Sequence, residues 1–406
     1  MPKFSYRARD KHGNEINGEM EAESKIALAH KIRDDGSIVF QAEEITEGAG
    51  LGLFQHLQTF FSSVSLKEKI IFANNLSAMV DAGLTLSRSL TILNRESKNK
   101  KFKKVVTTLA DEISKGESFS NALLKFPEVF PPFFTAMVHA GEESGQLPES
   151  LKTVCDQLSK TYELRRKIRG AMIYPAVIIF VIIVIAILMM IFLVPTLSET
   201  FESLGAELPL STRVVIGISD FLSENIIFVI ISAFIIGAGL WKFLKTERGR
   251  WMTGYINLHL PVIGTITREA NSAITMRTLA SLISSGVGVV EALSITVKVL
   301  QNPYYVEALT RAEKEVQRGV TLASIFQKEE AIYPILVGEM IDVGEETGKL
   351  SGMLLKAAEF YEGEVDAVTK NLSTIIEPVL MIMIGIAVGF FAVSMIQPMY
   401  SLGEFI

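Results

Sequence analysis

A heptapeptide that occurs twice is the feature that most limits how this chain can fold. Gly-Glu-Glu-Ser-Gly-Gln-Leu begins at Gly141, and Gly-Glu-Glu-Thr-Gly-Lys-Leu begins at Gly344, 203 positions later. Because self-similarity at a fixed spacing indicates duplicated structural units, we predict two copies of one unit of roughly 130 residues. The same offset, without a gap, pairs Leu76 with Leu279, Gly83 with Gly286, Leu90 with Leu293, Gly116 with Gly319, Pro131 with Pro334, Met137 with Met340, Leu151 with Leu354, Pro175 with Pro378 and Pro195 with Pro398.

Helical signals fill both copies, and their interruptions fall at matching positions. Ser65 to Glu68 has the pattern of a capping box, which places a helix start at the beginning of the first copy. Only helical periodicity occurs between the interruptions, with room for about six short helices in each copy. We therefore predict two compact all-α bundles, at residues 66–170 and 269–374. The interruptions are Gly83, Gly116, Pro127, Pro131-Pro132 and Gly141 to Gly145 in the first copy, and Gly286, Gly319, Pro334 and Gly344 to Gly348 in the second.

Three apolar stretches are long enough to cross a lipid bilayer, which takes roughly 20 residues of helix. With 49% hydrophobic residues overall, they indicate a membrane protein. We predict transmembrane helices at residues 171–197, 221–244 and 375–398. Gly385 and Gly389 in the third span are small residues four apart, which permit close helix packing. The residues that mark the starts and ends of the first and third spans are Pro175, Pro195, Glu377, Pro378 and Pro398.

The charges around these spans predict their orientation. Lysine and arginine cluster before the first span and after the second, whereas the segment between these two spans is acidic apart from Arg213. Since cations concentrate on the cytoplasmic side of a membrane protein, we expect a cytoplasmic N-terminus and an external C-terminus. This orientation gives a cytoplasmic connector at residues 245–268, an external loop at 198–220 and an external tail at 399–406.

The first 50 residues have the pattern of a small α/β unit. Phe4 to Ala8 alternates as a strand does, Ile16 to Ala22 can return as a second strand, and Glu23 to Asp34 has helical spacing. We predict a small cytoplasmic domain at residues 1–50 that docks on another surface, since so short a chain buries little area alone. Residues 51–65 then form a linker with an apolar stripe, which rests either on the membrane interface or on the next domain.

No pattern in the sequence points to catalysis or to a bound cofactor. A P-loop needs four residues between its glycines, followed by Lys and Ser or Thr, whereas Gly344 and Gly348 are separated by three and Leu350 follows Lys349. The five histidines are scattered, and the one cysteine, Cys155, has no histidine near it in sequence. A net charge of −6 lacks the basic footprint of nucleic-acid binding. We predict no catalytic residue, cofactor, metal site or nucleic-acid partner.

The repeated motif is better interpreted as a structural or interface element. Its two glycines bracket a reversal between helices, and we expect positive φ at Gly141 and Gly344. The paired acids would then lie near helix termini, where they either cap amide groups or face a partner; metal binding by adjacent carboxylates alone is the weaker alternative. The structural and interface candidates are Gly141, Glu142, Glu143, Gly145, Leu147, Gly344, Glu345, Glu346, Gly348 and Leu350, together with Gly83 and Gly286.

A strongly basic segment distinguishes the first copy from the second. Residues Arg95 to Lys104 carry six lysines and arginines in the printed sequence, whereas the counterpart, Lys298 to Glu307, is not basic. It is interpreted either as a solvated connection between helices or as a surface for anionic lipid or an acidic partner.

Taken together, these features resemble the type II secretion F family, the inner-membrane platform proteins of type II secretion systems and type IV pili. The resemblance rests on the duplicated bundle, the Gly-Glu-Glu-[Ser/Thr]-Gly-x-Leu motif in both copies, and the short N-terminal unit that starts Phe4-Ser5-Tyr6. Tyr174-Pro175 and Glu377-Pro378 at the span starts, and Pro195 and Pro398 at the span ends, match as well. It covers nearly the whole chain.

The resemblance implies a non-enzymatic platform in the bacterial inner membrane. Such a protein forms homo-oligomers, contacts a cytoplasmic assembly ATPase and passes the work of that motor to pilins or pseudopilins, alongside other inner-membrane components of the machine. The fold that we expect is an all-α membrane protein with two duplicated cytoplasmic six-helix bundles, three transmembrane helices and a small N-terminal α/β unit. Whether the machine is a pilus or a secretion system stays open.

Two other functions are compatible with a polytopic chain. A transporter subunit would need ionisable or polar groups at the depth of the bilayer centre. The first span has none between Ala176 and Val194, the second offers Ser232 and the third Ser394. A membrane-anchored scaffold unrelated to pili is the other alternative.

Overall fold

The computed structural model describes residues 3–9, 15–22, 25–34, 37–45, 63–203 and 210–403. Most of the predicted linker at 51–65 and the last residues of the predicted tail lie outside this part of the chain, as do residues 204–209. The chain divides into two compact units, a small N-terminal one and a large helical one.

The N-terminal unit is a three-stranded antiparallel sheet with one helix. Its elements are β1 (Lys3–Arg9), β2 (Glu15–Glu21), α1 (Lys25–Asp34) and β3 (Ile38–Ile45), with strand order β2-β1-β3. Phe4 lies opposite Met20 on one side and Glu44 on the other. Since alternate residues share one face of a strand, Phe4 and Ala8 both reach a core completed by Leu28 and Ile32 of α1.

The large unit contains the first copy of the repeat, which is built from six helices. They are α2 (Leu66–Asp81), α3 (Leu86–Glu96), α4 (Lys100–Ser114), α5 (Phe119–Leu124), α6 (Pro132–Ser144) and α7 (Leu147–Leu188). The sequence places the start of α2 correctly, because the Ser65 hydroxyl accepts a bond from the Glu68 N–H and the Glu68 carboxylate accepts one from the Ser65 N–H.

Four α-helices and a π-helical segment connect the two copies, and a further six helices form the second. After α7 come a π-helical segment (Met189–Leu193), α8 (Val194–Ser203), α9 (Leu210–Glu224), α10 (Ile226–Leu244) and α11 (Glu247–His259). The second copy is α12 (Ile263–Ser284), α13 (Val289–Val299), α14 (Pro303–Val316), α15 (Leu322–Lys328), α16 (Ile335–Glu346) and α17 (Leu350–Gly403). Its first helix begins at Ile263, six residues before the predicted boundary at 269.

Glycines with positive φ end the same helices in both copies. Gly83 and Gly286 both have a φ of 86° and follow α2 and α12. Gly116 and Gly319, with φ of 92° and 86°, follow α4 and α14. A residue without a Cβ adopts this left-handed conformation without strain, so these glycines end the helices and fix the reversals. The duplicated breaks in the sequence are therefore duplicated backbone conformations.

The two bundle cores use equivalent positions but different chemistry. Three phenylalanines of the first copy correspond to hydroxyl-bearing residues of the second: Phe72 to Thr275, Phe102 to Tyr305 and Phe130 to Tyr333. The Tyr333 hydroxyl lies 3.1 Å from Thr275 Oγ1, and the Tyr305 hydroxyl donates to the carbonyl oxygen of Ile332 at 2.7 Å. Because buried hydroxyls destabilise a core unless they are hydrogen-bonded, these bonds compensate for the burial of the two tyrosine hydroxyls.

Each bundle continues without a break into an apolar helix. α7 and α17 both start beside the repeated motif and run through the predicted starts of the first and third spans. These two helices and α10 are long and apolar enough to cross a membrane. Large apolar side chains such as Phe180 and Phe234 are exposed along them, as expected for surfaces that face lipid.

The segment between the first two spans differs from the predicted acidic loop. Residues 210–224 form α9, which packs against the π-helical segment and α17. The Thr212 hydroxyl donates to the carbonyl oxygen of Ser394, and Val194 and Val215 are buried together. The second span helix begins at Ile226 rather than at 221, because Phe221 to Glu224 belong to α9.

Candidate functional site

The first acid of each repeated motif caps a helix other than its own. Glu142 of α6 accepts hydrogen bonds from the backbone N–H groups of Phe119 at 2.6 Å and Ser120 at 2.9 Å, at the start of α5. The first N–H groups of a helix lack partners within the helix, and its positive dipole end attracts a carboxylate. Glu142 therefore holds α5 against α6.

The second copy repeats this cap. Glu345 of α16 accepts bonds from the N–H groups of Leu322 and Ala323 at the start of α15, both at 2.9 Å. Of the two roles that the sequence left open for the acids, the first acid of each motif has the capping one.

The second acid of each motif lies at the surface. Glu143 and Glu346 are both exposed. In the described residues Glu143 lies beside one imidazole, with its Oε2 3.5 Å from His139 Nδ1. An exposed carboxylate that supports no other helix is available to a partner, so the interface role stays a prediction for Glu143 and Glu346.

The glycines of the motif have two separate tasks, and the prediction of positive φ at Gly141 and Gly344 is wrong. Both residues are buried inside helices, where a Cβ on Gly141 would lie 2.5 Å from Ser150 Oγ. Positive φ occurs four residues later, 70° at Gly145 and 66° at Gly348. The first glycine allows two helices to approach, and the second turns the chain between them.

The leucine that closes each motif begins the next helix. Leu147 and Leu350 are the first residues of α7 and α17, and each is half-buried against the main core. The N–H of Gln146 bonds to the carbonyl oxygen of Gly141 at 2.9 Å, and that of Lys349 to Gly344 at 3.0 Å. These bonds close the turn after a left-handed residue, as in a Schellman motif.

A cleft between the two copies is lined both by a residue of the repeated motif and by another of the predicted candidate residues. It has a volume of about 620 Å³ and lies between α6 of the first copy and the α12–α13 turn of the second. Glu143 and Gly286 both line it, whereas Gly83 does not. His139, Glu291 and Lys298 add polar and charged groups to its walls, and no sequence pattern indicated that these residues meet.

The residues predicted to mark the span boundaries all lie inside helices. Pro175 is buried within α7, and Pro195 is the second residue of α8, which runs on to Ser203. Glu377 and Pro378 are exposed within α17, and Pro398 also falls within this helix, which ends at Gly403. The helices therefore continue through the predicted span boundaries, whose positions in a membrane stay a prediction.

A charged junction joins α7, α12 and α17 beside the bundles. Arg277 of α12 forms a two-pronged ion pair with Glu362 of α17, whose second bond, from Nη2 to Oε2, is 2.9 Å. Lys167 of α7 contacts Asp366 of α17 at 2.7 Å. Arg–carboxylate pairs of this geometry fix orientation as well as distance. The junction therefore ties both long helices to the second bundle.

Glu269 of α12 is half-buried, but its Oε2 atom is enclosed. Its Oε2 has no hydrogen-bond partner in the described residues. Burial raises the pKa of Glu269 to about 7, and the nearby Glu364 carboxylate adds to the rise. Its repeat-equivalent in the first copy is Leu66, so the duplication could not have indicated this site.

Within the residues that the structure describes, no three His, Cys, Asp or Glu side chains are close enough together to hold a metal ion. The adjacent acids of the motif face different ways, one toward a helix start and the other toward solvent. Such a pair does not form the converging oxygen ligands that calcium or magnesium prefers.

The fold defines a membrane protein built by duplication, in which each helical bundle continues into a membrane-length helix. Residues 72–195 and 275–398 each match the family described as "Type II secretion system (T2SS), protein F", again 203 positions apart. Residues 1–43 match "Type II secretion system protein F, N-terminal domain". The chain therefore belongs to the type II secretion system protein F family, which confirms the resemblance seen in the sequence.

Relatives from both kinds of machine align with almost the full chain. "Type IV pilus assembly protein PilC" of Thermus thermophilus is 35% identical over 402 residues, 99% of this chain and 98% of the relative. The protein of the same description from Pseudomonas aeruginosa is 33% identical over 335 residues, 82% of this chain and 89% of the relative. "Type II secretion system protein F" of Vibrio cholerae is 26% identical over 406 residues, 100% of this chain and 99% of the relative.

Proposed function

We propose that this chain is a non-enzymatic platform protein of the bacterial inner membrane, serving a type IV pilus or a type II secretion system. The observation that carries the proposal is the family match over both copies of the repeat. The names of the relatives favour this function over a transporter subunit or an unrelated scaffold. A pilus is the better-supported machine, because the pilus relatives described above are the more similar ones.

The geometry supports a mechanical role between a motor and the membrane. α7 and α17 each belong to a bundle at one end and to an apolar span at the other. A force applied to the bundles would reach the bilayer through continuous helix, because α7 and α17 run from bundle to span although Pro175 and Pro378 each lack one helical hydrogen bond. The Lys167–Asp366 ion pair, which joins α7 to α17, would keep the two rods in register.

In this proposal each bundle is a six-helix unit on the cytoplasmic side. A cytoplasmic assembly ATPase contacts the bundles, pilins or pseudopilins contact the spans, and the chain assembles with further copies of itself and with other inner-membrane components. The motor supplies all of the chemistry. The platform contributes shape, charge and attachment to the lipid bilayer.

Deletion of the gene, followed by complementation, tests the proposal. The deletion should abolish surface pili or protein secretion, and the intact gene should restore the lost output. Gly170→Pro would break α7 between bundle and span, because proline removes a backbone donor and clashes inside a helix. We expect this variant to reach the membrane and still co-purify with the ATPase, yet to assemble no pili.

Gly170→Ala is the matched control. The position is open, with no atom near an added Cβ, and alanine favours the helix. It should support full output. A deletion strain with normal pili and normal secretion would refute the platform function.

A further inference from the structure

Apart from the packing of α7 on its equivalent α17, the contact between the two copies is one-sided. α6 of the first copy packs against α13 and the adjoining end of α12 in the second copy. If the copies were related by a two-fold axis, α16 would pack in the same way on α2 and α3. No comparable packing of α16 against α2 or α3 occurs in the part of the chain that the structure describes. The copies are therefore joined head to tail.

A head-to-tail pair has one unused surface at each end. At the second-copy end it is the outer face of α16, defined here as the α16 face: Ile335, Glu339, Asp342, Val343 and Glu346. These residues stand where Pro132, Ala136, His139, Ala140 and Glu143 stand in α6. Two large apolar side chains of this face are exposed, Ile335 at 65% and Val343 at 44%.

At the first-copy end the unused surface is the outer face of α3, defined here as the α3 face: Leu84, Arg88, Ile92 and Arg95. These residues stand where Val287, Glu291, Ile295 and Lys298 stand in the second copy, all four of which line the cleft under α6. Ile295 is only 7% exposed. Its equivalent Ile92 is more accessible, because no helix in the described part of the chain covers Ile92 in the way that α6 covers Ile295.

The charges of the two unused faces are complementary. The α16 face carries three acids, whereas the α3 face carries Arg88 and Arg95 and no acid. Within the chain, His139 of α6 and Glu291 of α13 line the shared cleft. Their equivalents are Asp342 and Arg88, which carry opposite charges and would attract each other.

The second charged pair keeps its signs. Glu143 and Lys298 line the cleft within the chain, and their equivalents are Glu346 and Arg95. Complementary charges around an apolar centre select a partner and fix its register. The acid–base pair Glu143 with Lys298 and the apolar centre thus recur on the two surfaces that the chain leaves open, and Asp342 with Arg88 adds a second pair of opposite charges.

We propose that the α16 face of one chain docks on the α3 face of the next, repeating between chains the contact that joins the two copies within a chain. This inference rests on the homo-oligomer of the proposed function and assigns its interface. A head-to-tail contact generates a ring if the rotation closes and a filament if it does not. Because membrane spans hold every chain at one depth, a ring is the expected outcome.

Cross-linking between singly labelled chains tests the proposal. In a Cys155→Ala background, one tagged chain carries Val343→Cys and a second, differently tagged chain carries Ile92→Cys. The two are co-expressed full-length, kept in detergent and treated with a short bismaleimide. We expect a linked dimer only when both chains are present. Ala140→Cys with Ile295→Cys in one chain provides the positive control for reach, because both positions line the existing cleft.

Charge reversal gives an independent measurement that does not depend on cysteine reactivity. Asp342→Arg alone should weaken self-association by about tenfold, since like charges would then face each other. Adding Arg88→Asp in the same chain should restore association, which a mere folding defect would not allow. Asp111→Arg, on an exposed position of α4, should leave the oligomer unchanged.

Several outcomes would overturn the proposal. Linking of Val343→Cys chains to one another, without the Ile92→Cys chain, would show a two-fold contact instead. If light scattering shows an oligomer but the Val343→Cys and Ile92→Cys chains are not cross-linked, the interface lies elsewhere. If light scattering shows a monomer, self-association itself is refuted. If no cross-link forms but the protein supports pilus assembly, only this interface is refuted. If the cross-link forms but the deletion strain has no phenotype, only the platform function is refuted.

Discussion

The carboxylate of Glu142 lies 2.6 Å from the backbone nitrogen of Phe119, although 23 residues separate them in sequence. Glu345 repeats this relationship with Leu322 at 2.9 Å. Two copies that have diverged to phenylalanine in one core and tyrosine in the other thus keep the same link from motif to neighbouring helix. In each copy the hydrogen bonds attach the short helix, α5 or α15, to the helix that carries the motif.

The capping acids should contribute to stability and their neighbours should not. Glu142→Gln and Glu345→Gln each replace a doubly bonded carboxylate by a neutral group with a single acceptor oxygen. We expect each variant to lose about 1–2 kcal/mol of the free energy of unfolding, because hydrogen bonds to charged groups are the stronger kind. Thermal unfolding of the full chain in detergent measures the loss.

Glu143→Gln and Glu346→Gln are the matched controls for these two substitutions. Both side chains are exposed, so their melting temperatures should stay close to that of the parent. Assembly should respond in the Glu346→Gln variant instead, since this acid belongs to the α16 face. Equal destabilisation of all four variants would contradict the division of roles within the motif.

The first glycine of the motif should tolerate no side chain. A Cβ on Gly344 would lie 2.9 Å from the Leu350 Cα, an atom of the backbone that cannot rotate away. Gly344→Ala should therefore cost about 1–3 kcal/mol of the free energy of unfolding, as overpacked sites do. Gly352→Ala is the control on the next helix, where the space around the glycine is open. This variant should gain about 0.5–1 kcal/mol from helix propensity, and a loss there as large as that of Gly344→Ala would remove the steric explanation.

Stability should depend on pH through Glu269. Its pKa is raised from the ordinary 4.5 to about 7 in the folded chain, so the folded state binds a proton that the unfolded state has released. Its contribution to the free energy of unfolding therefore falls as pH rises from about 4.5 to about 7, and stays low above that range.

Glu269→Gln imitates the protonated side chain and should remove this dependence. Relative to the parent, the variant should gain roughly 1–3 kcal/mol at pH 8 and little below pH 4.5, the lower figure allowing for partial exposure. Melting curves from pH 4 to 8 measure the difference. Glu117→Gln, at an exposed position, should show no such trend. A constant difference between Glu269→Gln and the parent at every pH would contradict the assignment.

The predicted orientation can be read with reporter fusions. Fusions at Gly50, Glu207, Gly319 and Ile406 should report inside, outside, inside and outside, because the cations flank the first and second spans on one side. An enzyme that is active only outside the membrane, paired with one that is active only inside, gives opposite signals at each position. A cytoplasmic signal at Ile406 would contradict an odd number of spans.

The sequence by itself determined the features that depend on residues close together in the chain. The duplication predicted that breaks in the two copies would match, and the structure gives Gly83 and Gly286 the same φ of 86°. The capping box at Ser65 placed a helix start correctly. Three membrane-length apolar helices followed from hydropathy alone. Each of these signals is local, since a turn, a cap or an apolar run is encoded by adjacent residues.

Tertiary structure decided what distant residues do to one another. Only the packing of α6 on α7 shows that Gly141 is needed for close approach and that Gly145 makes the turn. Only the fold brings Glu142 to the start of α5, and only the packing of the helices half-buries Glu269. The sequence does not distinguish a carboxylate that caps a helix, one that is exposed and one that is half-buried, because the side chain is the same in all three. Its role follows from the solvent, dipoles and charges around it, and these are set by packing.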